Sequence, residues 1–80
     1  MKQESRLYTC ATRLLDFYTR QEIHVFFHYC EEMDLDLEEA FIWVCDRAEE
    51  ILISSGTTPP FDSVASAYVG TKGYIYDRPH

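Results

Sequence analysis

Leu37, Phe41, Val44, Ala48, Ile51 and Leu52 return at intervals of mostly three and four residues, and no other feature constrains the fold of this chain as tightly. Successive helical side chains turn by about 100°, so this spacing sets all six on one stripe over four turns. Asp36 stands three residues before Glu39, where its carboxylate can accept from the free N–H groups of a first turn. Glu38 and Glu39 then occupy the end of the helix dipole that favours negative charge. Ser54-Ser55-Gly56 supplies a left-handed stop. The spacing predicts a helix over about residues 37–54 whose apolar stripe has to be covered by other elements.

The neighbouring segments supply that cover with the same period. Leu7, Ala11, Leu14 and Tyr18 define a stripe over about residues 5–18, widened by Cys10, Leu15 and Phe17. Thr19-Arg20-Gln21-Glu22 then reads as a capping box, flanked by Tyr18 and Ile23 as a hydrophobic staple. A second helix is expected over about 20–33, burying Ile23, Phe26, Phe27, Cys30 and Met33. In Thr58-Pro59-Pro60-Phe61 a hydroxyl precedes proline at a first helical position, and Phe61, Val64 and Tyr68 share a face, which predicts a short fourth helix over about 59–69. Gly73, Tyr74, Ile75 and Tyr76 have strand-like composition but no partner strand, so they read as an irregular tail packed on the helices or ordered on binding. The expected fold is all-α: a small bundle of three main helices, a short fourth helix and a C-terminal tail, in one domain spanning 1–80.

Charge and cysteine content narrow the function classes. Fourteen acidic against seven basic residues give a net charge of −7, which opposes direct contact with nucleic acid or anionic lipid and favours a basic partner. No segment approaches the roughly 20 apolar residues that span a bilayer, and Met1-Lys2-Gln3-Glu4 opens without a secretory apolar stretch. Cys10, Cys30 and Cys45 form an odd set without paired spacing, each inside an apolar helical pattern, as reduced core thiols would be. The expected compartment is cytoplasmic, or the host cytoplasm for a phage-encoded chain.

Sites for chemistry are sparse. His24 and His28 stand four apart with Glu31 and Glu32 one turn on, a weak metal-ligand pattern in which Val25 replaces the glutamate of a metalloprotease helix. Asp34, Asp36 and Glu38 alternate as a calcium loop begins, yet Glu39 and Cys45 occupy the positions that need glycine and bidentate glutamate. The cysteines sit in apolar surroundings that blunt a nucleophile. Neither an enzyme nor a cofactor-binding protein is expected.

One surface departs from what stability alone would select. On a helical wheel, Glu38, Glu39, Ile42, Trp43, Asp46, Glu49, Glu50 and Ile53 fall together on the side of the third helix away from its core stripe. Glu49 and Glu50 oppose the helix dipole, and Asp46 and Glu50 are like charges one turn apart. Apolar groups with an aromatic anchor, bordered by charge, are the anatomy of a protein interface. The expected function is therefore a small acidic regulator or inhibitor that binds a basic surface of a partner protein. Alternatives are a nucleic-acid mimic blocking a nucleic-acid-binding protein, a homodimeric structural module, and a His-based metal-binding protein. Small size and acidic charge are shared with phage-encoded inhibitors of host machinery, an association of those two properties only.

Overall fold

Four helices follow one another as α1 (Lys2–Leu14), α2 (Arg20–Glu32), α3 (Leu37–Ser55) and α4 (Phe61–Thr71). The computed structural model describes residues 2–76, with side chains from Tyr8 onward. Among the described residues there is no strand, and no helix is long and apolar enough to cross a membrane. The longest helix, α3, packs against all three others, so its stripe organises the bundle as its spacing predicts.

The local signals for α2 and α3 act as the sequence implies. The Thr19 N–H donates to Glu22 Oε1 at 3.0 Å while the Glu22 N–H donates to Thr19 Oγ1 at 3.2 Å, a closed capping box. Tyr18 and Ile23, on either side of it, are both buried. Asp36 Oδ1 accepts from the N–H groups of Glu38 and Glu39 at 3.0 and 3.2 Å, satisfying two donors that a first helical turn leaves open. Gly56 ends α3 with φ 76°, a left-handed conformation that glycine adopts without a Cβ penalty. Asp36→Ala should therefore lower stability by about 1 kcal/mol, read as a shift in the urea midpoint at constant slope.

Six boundaries differ from the sequence expectation, among them the start of α1 at Lys2 rather than 5, the end of α2 at Glu32 rather than 33 and the end of α4 at Thr71 rather than 69. The first helix ends at Leu14 rather than 18, because the amides of Asp16 and Phe17 bond three residues back and tighten the chain into a turn. That turn swings Tyr18 inward, where its hydroxyl donates to the Pro59 carbonyl at 2.7 Å and its ring meets Phe61 edge-on at 5.0 Å. The fourth helix begins at Phe61 rather than 59, and Thr58 does not cap it. Proline disfavours helical geometry in the residue before it, so Pro60 works against helix at Pro59, and Pro60, itself extended at φ −60° and ψ 143°, leaves α4 to begin at Phe61. Pro60 takes the N-cap position with no side-chain bond. The third helix runs one residue further than predicted, to Ser55.

Two residues assigned to buried stripes lie outside them. Leu15, beyond the end of α1, is 45% exposed, and Met33, at the C-cap of α2, is 38% exposed. Each follows the last full turn of its helix, where the chain has already left the helical path.

Phe26 is the centre of the core. It is fully buried, and its ring meets Phe41 of α3 at 5.9 Å, Phe61 of α4 at 5.5 Å, Tyr68 of α4 at 6.4 Å and Tyr76 of the tail at 5.7 Å. The tail is thus docked on α2: Tyr76 is buried, its ring meets Tyr29 at 5.0 Å, and the Tyr29 hydroxyl donates to the Ile75 carbonyl at 2.9 Å. The remainder of the expected tail, 77–80, lies outside the described residues.

Candidate functional site

The outer side of α3 carries a shallow depression of about 560 Å³ lined by Glu39, Ile42, Trp43, Asp46, Arg47 and Glu50. Five of these six were singled out by the helical wheel. Arg47 was not, although at about 100° per residue it lies only about 40° round the helix from Trp43. The Arg47 guanidinium is a cation set among the carboxylates of that face.

Trp43 is partly buried rather than fully in water, and its indole lies at 5.6 Å from the ring of Tyr68 on α4, tilted by 52°. Tyr68 is itself buried, and its hydroxyl donates to Glu39 Oε1 at 2.9 Å. Lys72 Nζ reaches the same oxygen at 3.1 Å and stands 5.7 Å from the Tyr68 ring centre. These contacts hold the carboxyl of Glu39 below its ordinary pKa, with the Tyr68 hydrogen bond the largest cause and that of Lys72 next. Burial, reinforced by the Glu39 hydrogen bond, raises the Tyr68 hydroxyl well above its ordinary value. The aromatic floor of the depression is thereby fixed in place by a neutral phenol between two helices.

The other carboxylates of the face divide. Glu49 is turned toward α1 and pairs with Arg13, and Glu50 pairs with Arg47 at 3.0 Å. Both acids that oppose the helix dipole therefore have cations, which reduces the anomaly the sequence suggested for them. Neither Glu49 nor Glu38 lines the depression, and Ile53 stands beyond it, 85% exposed. The structure brings Ile42, Trp43, Glu39, Asp46 and Glu50 together and leaves Glu38, Glu49 and Ile53 outside.

The remaining candidates resolve individually. Asp34 adopts a left-handed φ of 60° in the turn after α2, and Asp36 is committed to capping α3, so the alternating acids form a turn and a cap. Burial pushes the Cys30 thiol up to about 11 and raises that of Cys45, which leaves little thiolate at neutral pH. All three cysteines are free; Cys30 and Cys45 are buried and Cys10 is partly so. No group of three or more His, Cys, Asp or Glu side chains converges among the described residues, although His24 and His28 bring their Nε2 atoms within 3.0 Å. A second, apolar groove of about 410 Å³ between α1 and α2 includes Leu15, Ile23, Phe27 and Phe41 in its walls. Sequence reasoning missed it because the exposure of Leu15 depends on where α1 stops. No protein-family model, curated protein or solved structure matches the chain.

Proposed function

We propose that this domain is a small regulatory binding protein that sets the α3 depression against a basic, partly apolar surface of a partner protein. The observation that carries the reading is the Trp43 indole, partly buried in the lining of a carboxylate-bordered depression and backed by a buried, hydrogen-bonded Tyr68. A large ring already held in position loses little conformational freedom on docking, which is why aromatic anchors dominate interface energies. Asp46 supplies the charge that orients a cationic partner, and Ile42 adds apolar area beside the indole.

The same geometry favours this over nucleic-acid mimicry. Glu39, Glu49 and Glu50 each hold a cation of their own chain, so the face does not offer a row of unpaired, phosphate-like charges. A homodimer seam through the depression would set the excess acid of two chains of net charge −7 against itself.

The test is capture of binding partners on the immobilised full chain, with the dissociation constant then measured for the captured protein. Trp43→Ala should weaken that complex by at least about 2 kcal/mol, roughly 30-fold, and Asp46→Lys should weaken it while leaving the core untouched. Rising salt should release the partner. Unchanged affinity in both variants, with far-UV circular dichroism intact, overturns the reading.

A further inference from the structure

Helix α2 displays His24 and His28 one turn apart, both exposed, with ring centroids 4.4 Å apart and planes at 84°. Their Nε2 atoms are separated by 3.0 Å. In such a contact one nitrogen donates its hydrogen and the other offers a lone pair. Glu31 Oε1 lies 3.4 Å from His28 Nδ1, a contact that favours the tautomer with the hydrogen of that ring on Nδ1 and the lone pair on Nε2. A carboxylate behind the distal nitrogen is also the arrangement that orients metal-ligating imidazoles.

The separation carries geometric information. At metal–nitrogen bonds of about 2.0–2.1 Å, two nitrogens this far apart subtend an angle of about 91–97° at the ion. That is the angle between adjacent ligands of a tetragonal or octahedral centre, whereas tetrahedral zinc would want the nitrogens about 3.4 Å apart.

We infer that His24 and His28 form a two-imidazole chelate for a divalent transition-metal ion with right-angled ligand preference, Ni²⁺ or Cu²⁺, completed by water. When the ion enters, the Nε2 proton of His24 passes through solvent to its own Nδ1, and both Nε2 lone pairs bind the metal. No electron is transferred and no net proton is lost from the neutral pair. The folded helix holds the two nitrogens at chelating distance and the unfolded chain does not, so the ion also stabilises the fold by mass action.

The experiment is calorimetric titration of the tag-free full chain with NiCl₂, which avoids copper-driven thiol oxidation, alongside thermal unfolding with and without the ion. One Ni²⁺ per chain is expected, with a raised unfolding midpoint. His24→Ala and His28→Ala should each weaken binding at least about tenfold, and Glu31→Gln should weaken it by about tenfold as the positioning residue. Affinity should fall as the pH drops, because protonated imidazole cannot ligate. Absence of binding at millimolar Ni²⁺, or equal affinity in the His24→Ala/His28→Ala double variant, overturns the site. Zn²⁺ bound as tightly as Ni²⁺ overturns the right-angled geometry, and unchanged affinity in Glu31→Gln overturns the positioning role.

Discussion

Phe26→Ala should destabilise the domain by about 3–5 kcal/mol, enough to leave a substantial unfolded population in a chain this small. The side chain is fully buried and touches rings from α3, α4 and the docked tail, so its removal opens a cavity that no single neighbour can fill. Aromatic pairs lost at the same position add to the transfer cost. The measurement is urea unfolding followed by circular dichroism, with Phe27→Ala as the comparison. Phe27 is only partly buried and meets Phe41 at 6.2 Å from the rim of the core, so its truncation should cost clearly less. Equal costs for the two would mean that the core is not organised about Phe26.

Phe26 was legible in the sequence because everything that buries it is periodic. Its stripe on α2, the stripe on α3 and the caps at Thr19 and Asp36 are all set by residues within four positions of one another, and local signals of this kind act before tertiary contacts form. The boundaries that shifted depend on longer-range needs. Tyr18 had to leave the helical path to reach the Pro59 carbonyl, 41 residues away, and nothing near Tyr18 in sequence encodes that bond. At α4 the signal was local but set against a stronger one: a hydroxyl before proline suggested a cap, and the second proline forbade helix at the first.

The candidate face shows the same division. A helical wheel sets Ile42, Trp43, Glu39, Asp46 and Glu50 on the side of α3 where the depression lies because α3 is regular from end to end, but it adds Glu38, Glu49 and Ile53, which lie outside it. It could not show that Tyr68 of α4 covers one side of the indole, or that Arg13, 36 residues before Glu49, neutralises that acid. A wheel locates residues around one helix, while exposure and pairing are set by its neighbours. The departure from a stability optimum that first drew attention to this face is therefore smaller than the sequence implied for Glu49 and Glu50. It persists for Trp43, which keeps part of its ring in the solvent-facing depression.

Alkaline conditions should unfold this domain through groups buried in their neutral forms. Cys30 is raised from 9.0 to about 11 by burial, and Cys45, Tyr18 and Tyr68 are raised too, chiefly by the same cause. Each is an acid whose folded pKa exceeds its unfolded one, so above pH 9 the unfolded chain has released protons that the folded chain still holds. Stability must then fall as pH rises, since its slope follows the protons bound by the unfolded state minus those bound by the folded state. The contribution of Cys30 is fully present below about pH 9 and disappears between about 9 and 11, a loss on the order of 2 kcal/mol from that residue alone. Tyrosines, with ordinary values near 10, extend the decline to higher pH. Urea midpoints at pH 7, 9 and 10.5 under reducing conditions should show a plateau followed by a drop, and Cys30→Ala should lower the plateau while flattening the drop. A midpoint that holds from pH 9 to 10.5 in the parent chain would mean that the thiol and phenol groups ionise without leaving the core.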